Sequence, residues 1–184
     1  MPPRLVKVLV ALVPALVIPA CGSDTVAAGE YMGSVCSEMK AWIEGIQSDA
    51  QEVQSLDPQT PAPEQKEKAT EFLEATIEST DEMISDVEDA GVPDVENGDQ
   101  IAEDVVGTLE DARQAYEEAN EKVADLSTDD PAAFQQGLSE IGQALSAQGE
   151  ALRTSMSTLQ ESEELQNAGQ DVQPCQDLAG LTGG

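Results

Sequence analysis

Apolar residues set alternately three and four apart, in four long runs separated by proline, glycine and polar turns, constrain this 184-residue chain more than any other feature. That spacing paints one apolar stripe along a helix, and such a helix must bury its stripe against a neighbour. The first run, Glu30 to Leu56, places Met32, Val35, Met39, Trp42, Ile46, Val53 and Leu56 on one seam, widened by Ile43. Asp49 takes the single polar slot. Asp57-Pro58 ends the run and opens a Pro-rich connector, DPQTPAP. The second, Glu64 to Ala90, carries Ala69, Leu73, Ile77, Thr80, Ile84 and Val87, with Phe72 and Met83 beside them. Gly91 suits the left-handed residue after a helix.

The turn VPDVENGD follows, where Asn97 with Gln100 has the spacing of a capping box and Asp99 is a second candidate cap. The third run, Gln100 to Leu126, shows Val105, Leu109, Ala112, Tyr116, Ala119, Val123 and Leu126 in register, with Glu118 and Lys122 as an exposed pair. Asp130-Pro131 starts the fourth as cap and first helical residue. It runs through Phe134, Leu138, Ile141, Leu145, Gln148, Leu152 and Leu159 to Ala168, with Gly169 as its stop. Gly142 and Gly149 lie on one flank, where they admit a close neighbour or line a groove. No stretch alternates with period two, so no strand is expected.

Four one-striped helices on short connectors imply an all-α fold: an antiparallel, up-down-up-down four-helix bundle. In that topology the start of the first helix and the end of the fourth share a pole. Cys36 sits near the former and Cys175 just past the latter, so a Cys36–Cys175 disulfide is expected to staple them. Two free thiols, or links to partner chains, are the alternative.

Upstream, Arg4 and Lys7 precede an apolar run, Val8 to Ala20, that ends at Cys21. This has the order of an export signal. About 13 apolar residues fall short of the ~20 a bilayer span requires. Ile18-Pro19-Ala20-Cys21 resembles a bacterial lipobox, although Pro19 departs from the usual small or polar residue. The resemblance implies cleavage before Cys21 and acyl chains on that cysteine. A plain signal peptide is the alternative. The organisation expected is a signal peptide over 1–20, a lipidated tether over 21–29, a bundle over 30–176 and a flexible tail over 177–184.

Past residue 20 the chain keeps six basic residues against all 37 acidic ones, a balance of −31. A field of that sign repels nucleic acid, which is held by clustered Lys and Arg. It repels anionic lipid as well and admits basic partners. A simpler reading, which we prefer, is that acidity keeps an exposed protein soluble or matches a salty or acidic habitat.

Catalytic chemistry finds little support. Histidine is absent, which removes the commonest general base. No Gly-rich phosphate loop or nucleophile elbow occurs. Glu78–Glu82 and Glu117–Glu121 lie off the seams and read as solvated surface. No cofactor is expected, and two thiols without histidine argue against zinc. Asp94, Glu96 and Asp99 in the VPDVENGD turn are weak cation candidates; Gly98 does not fall into an EF-hand register. Trp42 reads as core rather than ligand contact. Asp49 and Gln148, both mid-helix on seams, are candidates for a small polar layer that fixes register, or for a ligand cleft.

Taken together, Cys21, the segment SVCSEMKAWIEGI with Cys36 and Trp42, the VPDVENGD turn and Cys175 resemble small secreted lipoproteins of actinobacteria. The resemblance implies attachment to the outer face of the cytoplasmic membrane and no particular activity. The function expected is that of a non-enzymatic envelope protein-interaction or scaffolding module. Small-molecule or cation binding is the alternative.

Overall fold

The computed structural model describes residues 25–57, 59–156 and 162–182. Residues 1–24, on which the expected signal peptide and lipidation at Cys21 fall, lie outside the described residues, as do Pro58 and Leu159. The described chain is mostly α-helical: α1 (Ala28–Gln54), α2 (Ala62–Asp89), α3 (Gly98–Asp125), α4 (Pro131–Met156), α5 (Glu163–Gln170) and α6 (Gln173–Thr182). The first three begin about two residues before the apolar periodicity does, because the periodic signal only starts with the first buried side chain. At α4 the start is as read: Asp130 Oδ1 accepts the amides of Ala132 (3.0 Å) and Ala133 (3.2 Å), and Pro131 fills the first helical position. Gly91, at φ 80°, closes α2 in the left-handed region.

Two expectations fail at this level. Asn97 adopts φ 59° with no side-chain cap bond, so the capping box with Gln100 does not form; Gln100 Nε2 donates to Asp104 instead. A pair of two-residue strands also exists, β1 (Thr25–Val26) and β2 (Val92–Pro93), running parallel with Thr25 opposite Val92 and Val26 opposite Pro93. Two residues are too few to show alternation. The ladder also couples positions far apart in sequence, which no local pattern reports.

The fourth run is divided. Helix α4 is described to Met156, and a new helix, α5, starts at Ser162, whose Oγ accepts the Leu165 amide at 3.4 Å. Gly169 therefore lies inside α5 and does not end α4. It packs so closely on α1 that an added Cβ would stand 3.2 Å from Met32 Cε. Helix α6 follows where a tail was expected from residue 177, and it carries Cys175, which is bonded to Cys36 as anticipated.

Packing follows chain order in part. Helix α2 lies most extensively on α3, α1 on α2, and α4 on α3, while α1 takes α5 and α6 as its other neighbours. Among the described residues, extensive contact between α1 and α4, expected for a closed bundle, is not found. The apolar interior accordingly has two parts. One joins Tyr31, Val35 and Trp42 of α1 to Met83 and Val87 of α2, Val105 and Leu109 of α3 and Leu165 of α5, with Leu152 of α4 at its edge. The other joins Ala69 and Leu73 of α2, Ala119 and Val123 of α3 and Ile141 of α4. Helices α2 and α3 serve both parts. Helix α4 adds Ile141 to the smaller part, and α5 adds Leu165 to the larger. Val53 near the end of α1 and Leu56 just past it are only half-buried.

Candidate functional site

The α2–α3 surface carries the densest charge. Glu67, Glu71, Glu74, Glu78, Asp81, Glu82 and Asp86 of α2 are exposed, as are Glu103, Asp104, Glu110, Asp111, Glu118, Glu121 and Asp125 of α3. Between the helices lies an open groove of about 470 Å³ lined by Asp81, Ile84, Glu110, Arg113, Gln114 and Glu117. Arg113 bridges it. Its Nε donates to the Asp81 carboxylate, and its Nη1 lies 3.1 Å from Glu117 Oε1. The bond to Asp81 is the main cause holding the guanidinium pKa above its usual value, reinforced by the surrounding carboxylates.

Three other cations are similarly occupied. Lys68 Nζ lies 2.5 Å from Glu71, and that bond raises its pKa. Lys40 lies 3.6 Å from Glu44 on its own helix and 4.0 Å from Asp177 of α6. Lys66 of α2 reaches the end of α3, where its ammonium donates to the carbonyls of Ala124 (2.6 Å) and Leu126 (2.8 Å). These are carbonyls that a helix C-terminus leaves unpaired, and a cation there also suits the helix dipole. The pair expected at Glu118–Lys122 is absent among the described ion pairs; Glu118 accepts from Gln114 instead, at 3.1 Å.

The seams place polar groups differently from the reading of the sequence. On α2 the buried stripe is Ala69, Leu73, Thr76, Thr80, Met83 and Val87, one position round from Ile77 and Ile84, which are half-buried. Trp42 is core. Its indole Nε1 donates to Thr80 Oγ1 at 3.0 Å, Thr80 Oγ1 donates to the Thr76 carbonyl at 2.6 Å, and Thr76 Oγ1 to the Phe72 carbonyl at 2.8 Å. Helix α2 thus presents threonines to the core without leaving their hydroxyls unpaired. Among the described residues this is the buried polar layer. Asp49 and Gln148 do not form it: both are half-buried and no hydrogen bond joins them.

Asp94, Glu96 and Asp99 are exposed around the 91–98 turn. No group of three or more acidic or cysteine side chains among the described residues is placed to hold a metal ion. The turn is instead built for packing. A Cβ on Gly98 would stand 2.0 Å from the Pro93 carbonyl oxygen, so only glycine allows that approach. Gly137 of α4 similarly admits Leu126, whose Cδ2 would lie 2.4 Å from an added Cβ. Gly142 and Gly149 face open space, so they neither admit a neighbouring helix nor line a close groove.

The sequence reading missed the Lys66 clamp, the Thr76–Thr80–Trp42 chain and the Arg113 bridge. A usable signal existed for the last: Arg113 is the one arginine between Arg4 and Arg153, on a strongly acidic helix. No protein-family model, curated protein or solved structure matches the chain.

Proposed function

We propose that this protein is a non-enzymatic, lipid-anchored module of the cell envelope that presents an acidic helical face to a basic protein partner. The observation that carries the reading is how the charge is distributed. Four of the six cations past residue 20 are engaged within the domain, at Lys40, Lys66, Lys68 and Arg113. The exposed carboxylates of α2 and α3 therefore face solvent with few compensating charges, and such a face steers and selects partners of opposite sign. The groove bridged by Arg113 is open and shallow, which suits a protein surface better than an enclosed small molecule.

The anchor rests on the lipobox-like Ile18-Pro19-Ala20-Cys21 and the apolar run before it. An up-down arrangement of α1 to α4 is part of the same proposal. It is supported by short connectors and by the packing of each long helix on the next in sequence. The family resemblance to small actinobacterial lipoproteins supports location alone.

Crosslinking in native membranes, followed by identification of captured proteins, tests the proposal. A reproducible basic partner should be lost when Glu74, Glu78 and Glu82 are changed to Lys, and retained when Glu150 of α4 is. Capture unchanged by reversal of the α2 charges refutes the acidic-face reading. An unmodified Cys21 in the mature protein refutes the anchor.

A further inference from the structure

We infer that residues 25–27 act as a docked strut that holds the domain close above the lipid surface, with the pole built by the 91–98 turn, the start of α1 and the α5–α6 turn facing the bilayer. The inference rests on the proposed lipid anchor at Cys21 and names the surface that the anchor would present.

Three observations converge on it. First, the segment following Cys21 is engaged with the domain before α1 begins. Thr25–Val26 pairs with Val92–Pro93, the Val26 carbonyl accepts the Asp94 amide at 2.8 Å, and the Val26 side chain packs on the larger core. Ala27 then leads directly into α1, whose Glu30 and Tyr31 amides donate to its carbonyl at 2.9 and 3.0 Å. Second, the receiving turn is fixed. Asn97 sits in the left-handed region, and Gly98 lies against the Pro93 carbonyl where no side chain fits. Third, the chain's last elements close the same pole. Cys175 is bonded to Cys36, and a Cβ on Gly33 would meet Val172 at 3.8 Å.

Reach follows from chain geometry. Four Cα steps separate Cys21 from Thr25, which span at most ~14 Å when extended. Were the strut released, the seven steps to Ala28 would span ~25 Å. Docking therefore keeps the pole within about two screening lengths of the head groups at physiological salt, each ~8 Å. Helix α3 starts at that pole, and its 27-residue rise from Gly98 to Asp125 carries its far end ~40 Å away.

The test uses the lipidated full-length mature protein in vesicles of phosphatidylglycerol and phosphatidylcholine doped with a rhodamine lipid. A donor dye is placed on Asp99→Cys or on Asp125→Cys, at the two ends of α3. Energy transfer should be severalfold stronger from position 99. A ten-residue Gly-Ser insertion between Ser23 and Asp24, ahead of the Thr25–Val26 pairing, should abolish most of that difference. Val26→Asp should also reduce it and should speed Asp94 amide exchange about tenfold or more in the protein free of vesicles. Equal transfer from both positions, or a contrast that survives the insertion, overturns the inference while leaving the anchor standing. Absence of lipid on Cys21 by mass spectrometry overturns the anchor, and this inference with it. An Asp94 amide that exchanges freely in the unsubstituted protein overturns the docking itself.

Discussion

Tyr31→Phe should make this protein more stable, and the structure says by how much. Tyr31 is 0 % exposed, in the larger core, and its hydroxyl has no hydrogen-bond partner among the described residues. Protein substitution data put the cost of burying such a group at about 1–3 kcal/mol. Phenylalanine fills nearly the same space without the oxygen, so we expect a gain of about 1 kcal/mol, read as a melting temperature about 2–4 °C higher for a domain this size. The same residue gives an alkaline signature. Burial raises the Tyr31 pKa to about 12, against ~10 in an unfolded chain.

The sign follows from proton binding. Between pH 10 and 12 the unfolded phenol loses its proton and the folded one keeps it, so the unfolded state is favoured as pH rises. Stability is full below pH 10 and declines through the window by up to about 2–3 kcal/mol. Tyr31→Phe should remove that part of the decline. Urea titrations at pH 8 and pH 11 measure both effects. The chain has only two tyrosines, so phenolate absorbance in the variant reports Tyr116 alone, whose pKa burial also raises. A variant less stable at pH 8 than the parent would show that the hydroxyl has a partner, an enclosed water for instance, and would refute the reasoning.

Thr80→Val should leave the Trp42 indole N–H buried without its acceptor and cost about 1–3 kcal/mol; a double-mutant cycle with Trp42→Phe should recover part of that loss. Gly98→Ala should destabilise more than Gly137→Ala, because the first collides with a backbone carbonyl and the second with the end of a leucine side chain. Thermal melts of the pair check the order. Changing both Cys36 and Cys175 to Ser opens a cross-link spanning 139 residues, worth about 5 kcal/mol in the chain-entropy model. Equal denaturation midpoints with and without the bond would contradict that model here.

Much of this architecture could be read from residue spacing. The seam of α3 is nearly as written, because Val105, Leu109, Ala112, Ala119 and Val123 are aliphatic and leave one rotation open. On α2 two slots differ: Thr76 and Met83 are buried where Ile77 and Ile84 are expected. Isoleucine is a stronger apolar signal than threonine, yet Thr76 and Thr80 can hide their hydroxyls on their own helix and one of them receives an indole. The pairing of Cys36 with Cys175 was legible because it needs only the two ends of the helical array to share a pole. The break between α4 and α5 was not, since Leu145, Leu152 and Leu159 stand seven apart, a rhythm that a continuous helix would also keep. The strut at Thr25–Val26 depends on a partner 67 positions away.

The two-part core also sets an order of assembly. The smaller part is made within residues 69–145, whereas the larger needs Tyr31 and Val35 from the beginning of the domain together with Leu165 from its end. A chain emerging from its N-terminus must therefore leave its first helix incomplete until nearly all of the remainder has appeared. We expect the central helices to acquire amide protection first in pulse-labelled refolding, and α1 with α5 last. Early protection of α1 alone would contradict this order. Loop closure of that length is slow, and during the delay α1 exposes its aromatic side chains, Tyr31 and Trp42, to whatever chaperone or neighbouring chain is near.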